Sequence, residues 1–394
     1  MATVAMRETV ESRRIGETDA LAPFVLSGAE ETLVCHGAHS IVPPTPADDL
    51  AGAVDTFWRT ADDAALIVGA LPFDRAAPAH LFAPRDVRSG PQDSPARQVA
   101  GVYAGGGWSS TAEPSAAVYA DSVARALALL NGGAADLRKV VLARSLLVAA
   151  PRTIDVNAVL ARLARDPAVT TYAVPLPAAA PGVSRTLVGA SPELLVDKRG
   201  DAVRSLPLAG SARRQADTAA DRAAADSLLQ SDKDLREHAF VIEAILDTLT
   251  PYCGALAAPA KPSLVSTASM WHLGTRIDGR LKDADVSAVE LAAALHPTPA
   301  VCGLPRRTAR DAIGELENFD RGFYAGAVGW ADRAGDGRWM VAIRCAEIAG
   351  NTARLYAGAG IVPGSDPAAE VAETSAKFTA LLAALGIDET GGPR

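Results

Sequence analysis

Helical and strand-like periodicities alternate along the chain, which confines it to a mixed fold of helices and sheets. Helices are predicted at 114–132, 218–250 and 366–385, and the last has Asp366 as N-cap, Pro367 in its first turn and Gly386 at its end. Strands are predicted in these segments: 24–36, 64–73, LRKVVLARSLLV, TTYAVPL, RTLVGAS, FYAGAVGW, RWMVAIRCAEIA and ARLYAGAG. Pro, Ser and Gly over 87–113 predict an exposed loop, and residues 387–394 are predicted to form a loose tail.

Length and charge exclude several classes of protein. A chain of 394 residues could hold two or three domains or one unusually large one. A net charge of -8, with no local run of Lys and Arg, argues against a nucleic-acid binder. No segment resembles a signal peptide or a membrane span, and four isolated cysteines indicate neither zinc nor disulfides. We therefore expect a cytoplasmic protein that contacts neither nucleic acid nor membrane.

Two acidic pairs lie on two predicted helices. Asp234 and Glu237 are three residues apart and share a helical face, while Glu370, Glu373 and Lys377 line one face of the last helix. Both faces continue into apolar residues. Carboxylates that point toward a core need protons or a cation, and Mg²⁺ prefers such oxygen ligands. The alternative for Glu373 and Lys377 is an ordinary surface ion pair.

Three more charged residues stand in strand contexts. Lys139 shares a strand face with small apolar residues, where it could be a dehydrated general base or an edge lysine that discourages aggregation. Glu193 precedes an apolar run, so it could be a buried general acid or a partly exposed side chain. Arg344 lies within a strand, where its partner could be a substrate carboxylate or a structural acid.

Nine segments, in the same order, resemble the chorismate-utilising enzyme family, and most closely its isochorismate synthases. The segments are KVVLARS, GASPELLV, PLAGSARR, KDLREH, WHLGT, LHPTPAVCGLP, FDRGFYAGAVGW, IRCAEI and AGAGIVPGSDPAAEVAETSAK. They make 115–386 the most recognisable part, whereas the N-terminal region matches loosely through GALPFD. The resemblance implies an α+β fold over residues 1–394, a single large domain in which two antiparallel β-sheets pack as a sandwich with helices outside.

The same resemblance implies a reaction. Lys139 would activate the water that attacks C2 of chorismate, and Glu193 would protonate the departing C4 hydroxyl from the opposite side of the ring. Glu237 and Glu373 would be direct Mg²⁺ ligands, with the metal gripping the ring carboxylate. The remaining implied site residues are Asp234 and Glu370 for the waters on the metal, Tyr324 and Arg344 for the enolpyruvyl carboxylate, and Gly210, Ser211, His272, Ala300, Gly358 and Lys377 for the rest of the substrate pocket.

Three positions separate the sister activities of the family. Lys139 stands where anthranilate synthases usually have glutamine, so water is the expected nucleophile, and Ala209 stands where aminodeoxychorismate synthases often have a lysine. Salicylate-forming relatives typically have threonine where this chain has Ala300. A salicylate synthase, in which isochorismate loses pyruvate, is therefore the alternative of the same class, and a noncatalytic chorismate-binding homologue is the alternative of another class.

The biological setting is less defined by the sequence. The resemblance implies a monomer, whose product could pass to an isochorismatase or a pyruvate lyase. The segment LHPTPAVCG resembles the siderophore-associated branch more than the menaquinone branch. Siderophore, menaquinone and salicylate production all remain open as destinations.

Overall fold

The computed structural model describes residues 22–61, 63–90, 107–132, 136–178 and 183–392. Its strands are β1 (Phe24–Ser27), β2 (Thr32–Ile41), β3 (Leu66–Leu71), β4 (His80–Gly90), β5 (Ser109–Glu113), β6 (Lys139–Ala149), β7 (Thr170–Leu176), β8 (Arg185–Ser191), β9 (Leu194–Arg199), β10 (Ala202–Leu206), β11 (Leu208–Arg213), β12 (Cys253–Ala257), β13 (Ser263–Ser266), β14 (Met270–Gly274), β15 (Ile277–Leu281), β16 (Gly303–Leu304), β17 (Ala327–Asp332), β18 (Gly337–Val341), β19 (Cys345–Ala349) and β20 (Thr352–Ile361). Its α-helices are α1 (Leu50–Thr60), α2 (Ala116–Asn131), α3 (Val156–Leu163), α4 (Thr218–Gln230), α5 (Asp232–Leu249), α6 (Ala288–Leu295), α7 (Arg306–Leu316) and α8 (Pro367–Leu385).

The strands form two antiparallel sheets of unequal size. The larger has 17 strands, and the smaller joins β11, β14 and β13. Along the larger sheet, hydrogen-bonded neighbours run β12-β15-β10-β9-β18-β17-β3-β4-β2-β1-β7-β8-β19-β20-β6, and β5 and β16 share the far edge of β6. The predicted α+β fold, a single domain with antiparallel sheets, is confirmed.

The larger sheet folds back on itself around a shared core. One hydrophobic cluster contains Trp330 and Trp339 from β17 and β18 together with Leu142 and Tyr356 from β6 and β20, although these strand pairs lie far apart along the ladder. A second cluster packs α3 and α8 onto β8, β19, β20 and the end of β6. Each Å² of buried apolar surface stabilises the folded state by about 25 cal/mol. The packing of α3 and α8 therefore helps to hold the strands beneath them in place.

The predicted loop over 87–113 needs correction at both ends. Residues 87–90 complete β4, where Arg88 pairs with Val34 of β2, and residues 109–113 form β5, where Glu113 pairs with Ser145 of β6. Residues 91–106 of the predicted loop lie outside the described residues. The turn-forming composition of this segment predicts a loop, but the two strands form because they pair with distant segments, and local composition does not indicate such pairing.

The predicted loose tail is packed against the core at its first residue. The Ile387 side chain is only 1% exposed, and its backbone N–H donates to the Leu382 carbonyl. The Asp388 carboxylate then accepts hydrogen bonds from the N–H groups of Thr390 and Gly392. Ile387 therefore continues the core beyond α8, whereas residues 388–390 form an exposed turn, and residues 393–394 lie outside the described part of the chain.

The described residues also show whether a helix could span a membrane and whether the cysteines are paired. No helix in the described ranges is both long and apolar enough to span a bilayer. The four cysteines are buried free thiols, and burial raises the pKa of Cys35 to about 12. Buried thiols of this kind behave as small core side chains.

Candidate active site

A partly enclosed cleft opens where β6 and β20 meet the smaller sheet and the N-terminal halves of α5 and α8. Eleven of the fourteen predicted site residues line it: Glu193, Gly210, Ser211, Glu237, His272, Ala300, Tyr324, Arg344, Gly358, Glu373 and Lys377. The other three are Lys139, Asp234 and Glu370. Lys139 contacts Glu237, Asp234 packs beside Gly210, and Glu370 lies one helical turn before Glu373. Segments far apart in the sequence thus converge on one cavity.

Lys139 lies directly behind the cleft wall. Its side chain is fully buried, and its Nζ is 2.9 Å from Oε1 of Glu237, which lines the cleft. Gly360 on β20 makes room for this pair, because a Cβ at that position would lie 2.2 Å from Glu237 Oε1 and 3.1 Å from Lys139 Cε. The alternative of an exposed edge lysine is therefore wrong. A buried amine held against a carboxylate can exchange a proton with a molecule in the cleft.

Replacing Gly360 with alanine should lower kcat by about 100-fold, because an added methyl group would displace Glu237 and Lys139 together. Gly314→Ala is the matched control, since no atom lies within 4 Å of a Cβ at that position in α7. Steady-state turnover and thermal unfolding of both variants provide the measurement. A Gly360→Ala protein with wild-type kcat would show that the close approach has no catalytic importance.

Glu193 is a buried carboxyl in the turn between β8 and β9. Its side chain is buried at the cleft wall, and its Oε1 has no hydrogen-bond partner among the described residues. Burial raises its pKa to about 7, while the Leu208 N–H and the charges of Lys139 and Lys377 oppose the shift. The alternative of a partly exposed glutamate is wrong. A carboxyl that still carries its proton near neutral pH is suited to donate that proton.

Glu193→Gln should make the protein more stable at high pH. The carboxyl ionises at an ordinary value of 4.5 when unfolded and at about 7 when folded. Between these values the folded state binds more protons, so stability falls as pH rises through this window. Glutamine cannot ionise, and we expect a gain of up to about 3 kcal/mol at roughly pH 8 and little change at roughly pH 4. Urea unfolding at both pH values tests this; equal gains at both would contradict it.

The four predicted site acids, Asp234 and Glu237 on α5 and Glu370 and Glu373 on α8, are accompanied by three lysines. Lys233 Nζ is 2.8 Å from Glu370 Oε1, Lys377 Nζ is 2.6 Å from Glu373 Oε1, and Lys139 pairs with Glu237. The Ser211 hydroxyl donates a further hydrogen bond to Glu373 Oε1 at 2.9 Å. Because Lys377 and Glu373 lie within the cleft, the alternative of an ordinary surface pair is wrong.

The pKa values of these acids reflect mutual repulsion inside the site. Burial raises the pKa of Asp234, and the charge of Glu237 adds to this. Burial likewise raises the pKa of Glu370, and the neighbouring Glu373 raises it further. For Glu373 burial acts in the same direction, but Lys377, Ser211 and Lys233 outweigh it and lower the pKa. A cation bound between α5 and α8 would relieve the repulsion.

This oxygen-only donor set fits Mg²⁺ in its chemistry. Glu370 Oε2 is buried and has no hydrogen-bond partner within the described ranges, which leaves one carboxylate oxygen available to a metal-bound water. Among the residues that the structure describes, no three His, Cys, Asp or Glu side chains already converge as a coordination shell. Lysine ammonium groups instead compensate three of the four carboxylates.

Another part of the cleft wall carries Arg344, a positively charged anchor for an anionic ligand. Arg344 lies in the break between β18 and β19, so the prediction that it stands within a strand is wrong. It adopts a left-handed backbone conformation (φ +51), and its guanidinium has no ion-pair partner in the described part of the chain. Burial lowers its pKa to about 10, so it remains charged at neutral pH. Because no acid pairs with Arg344, the structure favours a substrate carboxylate as its partner. Strain at such a position is typical of functional sites.

Aromatic and small residues complete this wall. Tyr324 stacks on Tyr356 with ring centroids 4.9 Å apart, and a Cβ on Gly358 would lie 2.8 Å from the Tyr324 hydroxyl. The Lys377 ammonium donates to the Gly358 carbonyl at 2.9 Å. Because Gly358 has no side chain, the Tyr324 hydroxyl can approach the β20 backbone, to which Lys377 also bonds.

The smaller sheet provides the remaining predicted residues. His272 on β14 pairs with Ser211 on β11, and its Nε2 is buried without a partner among the described atoms. Burial, together with the charges of Arg344 and Lys377, lowers the pKa of His272, so the ring is neutral. Gly210 has φ +78, and a Cβ there would lie 3.0 Å from the Cβ of Asp234. The neutral His272 ring thus adds an uncharged donor and an uncharged acceptor to the cleft lining.

Sequence reasoning missed the apolar part of the lining and one glycine. Val141, Pro192, Leu208, Val301, Ile343 and Tyr356 also line the cleft. These residue types are common in any core, and no local pattern marks them as part of a site. Gly360 carried a usable signal: Gly358 and Gly360 alternate along a strand, which places both on the same face, where a second element can approach closely.

Comparisons with known proteins are consistent with this geometry. The sequence pattern of the family described as chorismate binding enzyme matches residues 98–386. The isochorismate synthase DhbC of Bacillus subtilis is 44% identical over 376 residues, covering 93% of this chain and 94% of that protein. The vibriobactin-specific isochorismate synthase of Vibrio cholerae is 39% identical over 378 residues, covering 93% and 92%. The crystal structure of DhbC from Bacillus anthracis superposes with a TM-score of 0.86 at 42% identity, covering 93% and 96%.

Proposed function

The chain belongs to the chorismate-binding enzyme family, and from this membership we propose that it converts chorismate reversibly to isochorismate. One observation carries the proposal beyond family membership. A fully buried lysine contacts Glu237 of the cleft wall, and a buried glutamate with a pKa of about 7 lines the same cleft, together with further carboxylates and with Arg344, which has no ion-pair partner among the described residues. Exchange of a hydroxyl between two ring carbons needs this combination of proton acceptor, proton donor and anion binding.

Binding would be set by the charged walls of the cleft. Arg344 and Tyr324 face the enolpyruvyl carboxylate, while Lys377, Ser211 and the backbone at Gly210 and Gly358 complete the anion pocket. His272 and Ala300 border the ring. Glu237 and Glu373 would hold Mg²⁺, with Asp234 and Glu370 binding its waters. When bound, the metal would supply positive charge that neutralises and orients the ring carboxylate.

The two proton transfers would be made by residues of this chain. Lys139 accepts a proton from a water as the water oxygen bonds to C2, and the ring double bonds shift. The C4–oxygen bond breaks, and Glu193 delivers a proton to the leaving oxygen so that it departs as water. The overall change adds one water and releases one, leaving an isomer. In the reverse direction Glu193 is the base and Lys139 is the acid.

The direct test is to incubate the purified chain with chorismate and Mg²⁺ and to separate the products by chromatography. Isochorismate alone is the expected result. Salicylate with pyruvate would support the salicylate synthase alternative, and binding of chorismate without turnover would support a noncatalytic homologue. Either result would overturn the proposed activity.

We further propose that the enzyme is a cytoplasmic monomer. The four buried thiols are compatible with a reducing compartment. Its product keeps an enolpyruvyl ether, so the enzyme that follows would hydrolyse or eliminate that group, as an isochorismatase or a pyruvate lyase does. Size-exclusion chromatography coupled to light scattering would test the oligomeric state.

A further inference from the structure

The strand that begins with Lys139 has an interrupted outer edge. One edge of β6 pairs with β20 over residues 140–149. On the other edge β5 covers residues 145–149 and β16 covers residues 139–140. On this outer edge residues 141–144 pair with no described strand; the Val141 N–H donates to the backbone carbonyl of Cys302 at 2.8 Å, and Val141 lines the cleft.

Two charged side chains occupy this interruption. The Ala143 N–H donates to Glu317 Oε1 at 2.7 Å, and Arg321 Nη2 donates to the Val141 carbonyl at 2.7 Å. Arg321 Nε donates to Glu317 Oε2 at 2.9 Å, so the two side chains form one bridge. The side chains of Glu317 and Arg321 are 4% and 2% exposed, which makes this one of the most buried ion pairs among the described residues.

The same pair is connected to two other parts of the cleft wall. Arg321 Nη1 donates to the carbonyl of Val301 at 2.8 Å, and Val301 lines the cleft next to Ala300. The Arg321 backbone carbonyl accepts a hydrogen bond from the N–H of Tyr324 at 2.9 Å. The guanidinium also stacks on Phe73 at 4.3 Å, which fixes its plane. A planar guanidinium can hold such divergent contacts at once, whereas a lysine ammonium cannot.

From these contacts we infer that Glu317 and Arg321 are a positioning pair that replaces the missing strand beside β6 and fixes the wall formed by Val141 and Val301 relative to Lys139. Neither side chain lines the cleft, and their side-chain hydrogen bonds go to each other and to the backbone of Val141, Ala143 and Val301. The anion anchors Arg344 and Lys377 are not bound to the pair. Loss of the pair should therefore lower kcat much more than it raises KM. This inference rests on the proposed function for its kinetic consequence but not for its structural one.

Two variants test the pair. Arg321→Lys keeps the charge but loses the fork of hydrogen bonds, and Glu317→Gln combined with Arg321→Met removes both buried charges while retaining similar volumes. A matched control is Lys198→Met combined with Asp336→Asn, which removes an ion pair 3.0 Å long between the buried Lys198 of β9 and the half-buried Asp336 in the turn between β17 and β18. No residue of the control pair lines the cleft.

Amide hydrogen exchange gives the readout that is independent of activity. Exchange at Ala143 and the neighbouring amides of β6 should be at least about tenfold faster in Arg321→Lys and in the double variant than in the wild type. It should be unchanged in the control. Unchanged exchange at Ala143 would overturn the bridge. This measurement decides the structural claim even if wild-type protein fails to act on chorismate, which would instead contradict the proposed function.

Kinetics give the second readout. In both variants kcat for isochorismate formation should fall at least about tenfold while KM changes by less than about threefold. A purely structural pair behaves differently, because removing both buried charges often restores stability. If the neutral double variant regained both the wild-type unfolding midpoint and the wild-type kcat, the positioning role would be wrong.

Discussion

Lys139→Met should lower kcat for isochorismate formation by about 10²–10⁴-fold, the usual contribution of a general base, while the chain stays folded. Methionine fills most of the volume of the buried lysine but cannot accept a proton. Its Glu237 partner would lose an ion pair 2.9 Å long. Glu237 borders the open cleft, so water can solvate it, and we expect a stability cost at or below the usual range of about 3–5 kcal/mol for breaking a buried pair.

The control for this substitution is Lys198→Met. Lys198 is equally buried and pairs with Asp336 at 3.0 Å, but Asp336 does not line the cleft, whereas Glu237, the partner of Lys139, does. Both variants should lose stability, and only Lys139→Met should lose turnover. Measurement of kcat alongside thermal unfolding separates the two effects. Wild-type turnover by folded Lys139→Met protein would remove the lysine from the mechanism.

Removal of divalent cations should reduce turnover by about 10³-fold, which corresponds to several kcal/mol of lost electrostatic stabilisation. Mg²⁺ should restore activity and also raise the unfolding midpoint, since a ligand at 100 times its Kd stabilises the folded state by about 2.7 kcal/mol. Two pairs of carboxylates on α5 and α8 provide the physical basis, because burial, and then the charge of neighbouring glutamates, raises the pKa values of Asp234 and Glu370.

Glu237→Gln localises this effect. It should weaken the Mg²⁺-induced rise in unfolding midpoint and increase the Mg²⁺ concentration needed for activity. Glu243→Gln is the control, because Glu243 lies exposed on the same helix. Full activity in chelator-treated wild-type protein, or equal Mg²⁺ responses in both variants, would contradict a metal site between α5 and α8.

The candidate site was largely predictable from the sequence because its charged residues follow local rules. Helical spacing placed Asp234 with Glu237 and Glu370 with Glu373, and family resemblance then assigned partners across the fold. The structure brings these residues to one cleft. Their individual roles stay predictions until the variants above are measured.

Features that depend on long-range hydrogen bonding could not be predicted in this way. Nothing local in LENFDRGF indicates that Glu317 and Arg321 bond to the edge of β6. Glu317 is 174 residues from its partner Ala143, and Arg321 is 180 residues from Val141. The strand pairing of residues 87–90 and 109–113 and the packing of Ile387 were missed for the same reason. Gly360 depends on which side chain approaches it, and only the folded chain defines that neighbour.

Oxygen-isotope labelling tests the central chemical claim most directly. The wild-type protein should be allowed to turn over chorismate in water enriched in ¹⁸O, and the isochorismate should be analysed early by mass spectrometry. If Lys139 activates a solvent water at C2, the product gains one heavy oxygen, and the folded Lys139→Met protein forms little labelled product. Unlabelled isochorismate from the wild-type protein would mean that the original hydroxyl moves within the ring system, which contradicts the account.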